Sequence, residues 1–187
     1  GELETLFMPK LKSVAGSFKV EDNFLLSTLI LTSLEEVSGS LSIKNGELET
    51  LFMPKLKSVG TYLTLSDNPH LHTLSIPNFT SAVGLFLLEL DALEALTMPS
   101  IETLGILKLS NLNALESFSI PTLHELSWLR LFNNASLKSF HLPAIEILDG
   151  GLQVHFNDIL PALQMPQLTS VGKLTVKSNA SLQSVHL

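Results

Sequence analysis

Cysteine is absent from the 187 residues, so neither a disulfide nor a thiolate metal site can form. Charge is scarce: 16% of residues are charged, with 11 basic against 18 acidic side chains, a net charge of −7, and Arg130 as the single arginine. The sequence shows no basic stripe, which argues against nucleic acid and against an anionic membrane surface as partners. Aromatic residues make up only 6%, and Trp128 and Tyr62 are the only rings with a polar tip. No apolar run reaches the roughly 18 to 20 residues that a membrane-crossing helix needs. No stretch shows the apolar spacing of a ten-residue helix. With 45% hydrophobic residues there is ample material for a core, so disorder is not expected.

What remains is a period. Pro9, Pro54, Pro77, Pro99, Pro121, Pro143 and Pro166 recur every 22 or 23 residues, with Thr32 in the vacant slot, and each proline follows an apolar residue. Two residues beyond the slot stand Leu11, Leu34, Leu56, Phe79, Ile101, Leu123, Ile145 and Leu168. Five beyond it stand Val14, Val37, Val59, Ala82, Leu104, Leu126, Leu148 and Val171. A glycine usually follows, then an alternating segment such as Leu107-Lys108-Leu109 or Leu129-Arg130-Leu131, which reads as strand. An Asn or Asp closes most units: Asn23, Asn45, Asn68, Asp91, Asn113, Asn134, Asp158 and Asn179. A further short segment leads back to the proline.

A fixed period in the twenties, filled by three short strands and by Gly, Pro and Asn turns, predicts an all-β parallel solenoid of about eight turns. A lone unit cannot bury its apolar columns, but stacked units can. Strands about 4.8 Å apart would make a rod near 40 Å long. Proline suits a corner, glycine a tight bend, and the closing amide a bond to an adjacent turn. Residues 1–14 repeat identically at 46–59, which packing does not demand. A recent duplication, an assembly of repeats or an imperfect sequence assignment would each produce that identity. Both ends fall inside repeats, so residues 1–187 read as one solenoid taken from a longer chain.

The segment Leu174-Thr175-Val176-Lys177-Ser178-Asn179 matches an L-x-L-x-x-N repeat core, and the columns resemble leucine-rich repeats of the receptor L-domain type. The runs Asn179-Ala180-Ser181-Leu182 and Leu168-Thr169-Ser170-Val171-Gly172 are similar to those of fungal GPI-anchored cell-wall and sporulation proteins. The resemblance implies a right-handed β-solenoid, an extracellular or cell-surface location and no enzymatic activity.

Three N-x-S/T sequons begin at Asn78, Asn134 and Asn179. Asn134 and Asn179 also stand in the closing column, where a buried amide could carry no glycan, so Asn78 is the better acceptor. His70 and His72 form an H-x-H pair without an acidic or thiol companion, and no metal site or cofactor is expected. Serines and carboxylates are scattered over the turns, and nothing groups a catalytic set. The segment before the proline carries two outward columns. One is Thr5, Thr28, Thr50 and Thr73, continuing in small residues. Two residues on stand Phe7, Ile30 and Phe52. An apolar stripe of this kind predicts a contact surface. The function expected is a non-catalytic surface or cell-wall module acting by protein binding, or by self-association through a strand face or the solenoid ends. Carbohydrate binding, including cell-wall glycan, is the alternative, and ice binding a weaker one.

Overall fold

The computed structural model describes residues 3–187. Every strand pairing in it is parallel, and no helix occurs among the described residues. About eight turns stack into a β-solenoid. One turn shows the plan. Strand Thr50–Phe52 runs into a corner at Met53–Leu56, the short strand Ser58–Val59 follows, and Tyr62–Ser66 leads to a second corner at Asn68–Leu71. The next strand, Thr73–Ser75, lies directly on Thr50–Phe52, 23 residues along the chain.

Each corner is a four-residue turn closed by a main-chain bond. At the proline corner Leu56 N donates to Met53 O at 3.3 Å, and the same bond recurs from Leu11 to Met8 and from Leu168 to Met165. Proline sits second in the turn, where its fixed φ fits and its missing N–H costs no ladder bond. At the other corner Leu71 N donates to Asn68 O at 3.1 Å, repeated from Leu137 to Asn134 and from Leu160 to Asn157.

The apolar columns fill the interior. Leu34, Leu56, Phe79, Ile101, Leu123 and Ile145 are fully buried, and so are the alternating pairs Leu63/Leu65, Leu107/Leu109 and Leu129/Leu131. Leu11, Val14, Val171 and Val176, in the first and last turns, are only partly covered, because one neighbouring turn is missing beside each.

The glycine column is set by close approach between turns. A Cβ on Gly60 would lie 1.9 Å from Ser38 O, and one on Gly172 the same distance from Asp149 O. Where this bend straightens, the two strands around it fuse into eight-residue strands, Ser81–Leu88, Thr103–Ser110 and Glu125–Phe132. The bent and fused strands form one continuous sheet of 11 strands, apart from Ile147–Leu148 and Ser170–Val171, which pair separately. The strands before the prolines form a narrower face, broken into pieces of four, three and two.

The closing column differs from its sequence reading. The inward slot is held by Asn23, Asn45, Asn68, Leu90, Leu112, Asn134, Asn157 and Asn179. Asp91, Asn113 and Asp158 stand one residue later and are exposed. In the slot, Asn45 Nδ2 donates to Val20 O at 3.0 Å and Asn68 Nδ2 to Ile43 O at 3.2 Å, each one turn back. The main-chain N–H of Asn134 donates to Asn157 Oδ1 at 3.2 Å in the following turn. The residue before the slot takes a left-handed conformation in seven turns, at Asp22, Asp67, Glu89, Asn111, Asn133, Phe156 and Ser178, with φ between 51 and 57°. In the remaining turn Gly46, after the slot, has φ 86°.

Candidate functional surfaces

The predicted stripe exists as a surface. Thr5 pairs with Thr28, Thr50 with Thr73, and Phe7, Ile30 and Phe52 are neighbours on successive strands. Their inward companions Leu29 and Leu51 are buried, so strand alternation turns this set outward. Phe7 is 64% exposed and Phe52 51%, whereas Ile30 between them is partly covered. Phe24, 69% exposed, stands in the turn that leads into Thr28–Ile30. The apolar stripe ends at Ser75, where the four-stranded piece of this face also ends.

The sequons occupy three different settings. Asn134 is fully buried, and its Nδ2 donates to Leu109 O at 3.2 Å and to Asn157 Oδ1 at 3.0 Å, so a glycan there would break the ladder. Asn179 is half-buried and donates to Val154 O and Lys177 O. Asn78 is exposed, with one bond to Pro54 O at 2.6 Å. Of the H-x-H pair, His70 lies in a turn and His72 precedes the strand Thr73–Ser75, where its Nδ1 is 3.0 Å from Thr73 Oγ1. Among the described residues no group of three potential ligands comes together.

A second surface was missed from the sequence. It is the outer face of the strands that run from Phe18–Glu21 to Leu174–Lys177. Strand register aligns its outward residues into rows. One row runs Lys19, Ser42, Thr64, Phe86, Lys108, Arg130, Gln153 and Thr175. Beside it run Tyr62, Gly84, Ile106, Trp128 and Gly151. On its other side run Leu88, Ser110, Phe132, His155 and Lys177. Three strands thus carry Tyr62, Phe86, Trp128 and Phe132, a third of the twelve aromatic residues of the chain.

Glycines make room for these rings. Tyr62 and Phe86 stack at 5.3 Å between centroids, and a Cβ on Gly84 would lie 3.1 Å from one and 3.2 Å from the other. A Cβ on Gly150 would lie 2.0 Å from Trp128 Nε1. The Arg130 guanidinium sits 4.6 Å from the Trp128 ring centre, a cation–π contact. His155 packs 5.0 Å from Phe132 and edge-on to Phe156.

Charge is segregated here, which the chain-wide balance hides. Lys19, Lys44, Lys108, Arg130 and Lys177 stand on these strands, against two carboxylates, Glu21 and Glu125. The ion pairs among the described residues are Lys44–Asp67, Lys57–Glu35 and Lys138–Glu116, so Lys108, Arg130 and Lys177 have no carboxylate partner. Burial holds the His155 imidazole below its usual value of 6.5, with nearby Lys177 adding to the effect, so the ring is neutral at pH 7. Along the adjoining corner, acids occupy the early turns (Asp22, Asp67 and Glu89) and neutral residues the later ones. A hydrogen bond from Glu89 to Asp67, followed by repulsion between the two, raises the Glu89 carboxyl above 4.5.

Sequence reading passed over this face because it followed the inward leucines of Leu129-Arg130-Leu131 and not the residue between them. Trp128, Arg130 and Phe132 alternate within one strand, and that spacing was the available signal. No family model, curated protein or solved structure matches the chain.

Proposed function

We propose that the chain is a non-catalytic binding module of an extracellular or cell-surface protein, of the leucine-rich L-domain kind. It acts by contact with a protein partner or with another copy of itself. The observation that carries this reading is the stripe of Phe7, Ile30 and Phe52 on three adjacent strands. Covering a phenylalanine fully is worth about 1.5 to 3 kcal/mol, and Phe7 and Phe52 leave more than half of their surface in water. A partner that covers both would gain roughly 2 kcal/mol from those two rings alone. The repeat resemblance and the exposed Asn78 sequon support the surface location.

Sedimentation velocity over a concentration series, for the wild type and a Phe7→Ser/Phe52→Ser variant, tests the assembly branch. The same pair immobilised and challenged with surface proteins of the source organism tests the partner branch. The expected result is association in one of the two that the variant loses while its circular dichroism is unchanged. A wild type that stays monomeric and retains no more protein than the variant overturns the reading.

A further inference from the structure

We propose that the aromatic, cationic face around Trp128 and Arg130 binds an anionic polysaccharide of the polyuronate class. This site is distinct from the Phe7 stripe, because it lies on a different sheet. Three observations converge on that ligand.

The first is unpaired charge. Lys108, Arg130 and Lys177 stand outward in a protein of net charge −7, and no carboxylate among the described residues pairs with them. Lys108 and Arg130 are direct neighbours on adjacent strands, about 4.8 Å apart in the ladder direction. Two cations on neighbouring strands can share one bound carboxylate. The second is aromatic seating. Gly84 and Gly150 leave space that the rings of Tyr62, Phe86 and Trp128 fill, so rings lie against the sheet where a side chain would otherwise stand. Tyr62, 40% exposed, offers an apolar ring to the C–H face of a sugar, and Trp128 holds the Arg130 guanidinium over its own ring, positioning that cation for a carboxylate. The third is the polar filling. Ser42, Thr64, Gln153 and Thr175 share one row and offer neutral donors and acceptors to hydroxyl groups.

Three unpaired cations over four neighbouring strands match a few carboxylates of a bound segment, and titration against DNA separates a polyuronate from a phosphate chain. An acidic peptide would meet the cations but has no use for the flat rings.

The test is affinity electrophoresis of the whole chain in gels cast with polygalacturonate, with neutral dextran, or with nothing. Solution titrations against polygalacturonate, poly-glutamate and a single-stranded DNA oligonucleotide run beside it. The expected result is retardation by polygalacturonate alone, abolished by high salt. Lys108→Gln/Arg130→Gln should weaken binding about tenfold or more, and Trp128→Ala comparably. Lys138→Gln, whose residue pairs with Glu116 at 2.6 Å outside these rows, should leave it unchanged. If Trp128→Ala misfolds by circular dichroism, the double cation variant, which removes no packed ring, decides the matter. Failure to bind polygalacturonate, equal binding to poly-glutamate or to DNA, or retention of affinity by the Lys108/Arg130 variant each overturns the proposal.

Discussion

Replacing Asn157 by leucine measures the strength of the amide ladder. Asn157 is fully buried. Its Nδ2 donates to Leu131 O and to His155 O, both at 3.0 Å, and its Oδ1 accepts from the Asn134 main chain at 3.2 Å. Leucine has nearly the same volume, and leucine itself stands in this slot at positions 90 and 112, so the space tolerates it. What is lost is hydrogen bonding. The Asn134 N–H is left without its acceptor and Leu131 O loses a donor, whereas His155 O keeps the Asn133 N–H, so two groups carry the cost. Each buried polar group left unpaired costs about 1 to 3 kcal/mol, and the apolar gain from leucine returns about 1 to 2. The net expectation for Asn157→Leu is a loss of about 2 to 4 kcal/mol. With a urea slope near 2 kcal/mol/M, the midpoint should fall by about 1 to 2 M. Asn113→Ala is the control, because Asn113 is exposed and bonds only to Asp91 in the structure. It should cost no more than about 0.5 kcal/mol. Urea titrations followed by circular dichroism give both numbers. If the two variants fall within about 0.5 kcal/mol of each other, the ladder is not what holds the turns together.

Glu89→Asn should stabilise the fold by about 0.5 kcal/mol, chiefly because asparagine tolerates the left-handed φ of 56°, since solvent screens most of the repulsion between the exposed Glu89 and Asp67. A thermal midpoint that does not rise at pH 7 would count against it. The His155 imidazole, held below 6.5 in the fold, favours the native state fully above the unfolded value, and that contribution is lost as pH falls through 6.5 and lower. Thermal midpoints between pH 7.5 and 5 should therefore decline more steeply for the wild type than for His155→Gln, and equal slopes would refute the assignment. Gly150→Ala places a methyl group 2.0 Å from Trp128 Nε1 and should unseat the indole. Because Trp128 is the only tryptophan, its emission should shift to the red, and an unchanged spectrum would show that the ring does not rest there.

The solenoid was legible because its signal is repeated. Leu56, Ile101 and Leu123 each look like ordinary apolar residues, and only the shared spacing from the proline marks them as one buried column. The closing column was harder. Asn157 and Asp158 are adjacent turn formers, and sequence alone does not say which points inward. Leu90 and Leu112 hid the slot further by filling it with hydrocarbon, which shifted the reading to Asp91 and Asn113. The left-handed residue before the slot settles the phase, and it is a backbone property that Phe156 and Glu89 do not advertise. The Thr and Phe columns followed from alternation alone. The cationic face did not, because composition averages over the whole chain: a 6% aromatic share and a negative total say nothing about four neighbouring strands.

The two faces of the coil differ in continuity, and this has a mechanical consequence. One sheet runs through 11 strands, with only Ile147–Leu148 and Ser170–Val171 pairing apart from it, while the strands before the prolines are slit into pieces of four, three and two. Bending that opens the slit side breaks few main-chain bonds, whereas bending that opens the unbroken side must part a full ladder. The molecule should therefore flex like a book about its spine, with the joints beside Ser75 and His141, and keep Trp128 and Arg130 at fixed spacing while it does so.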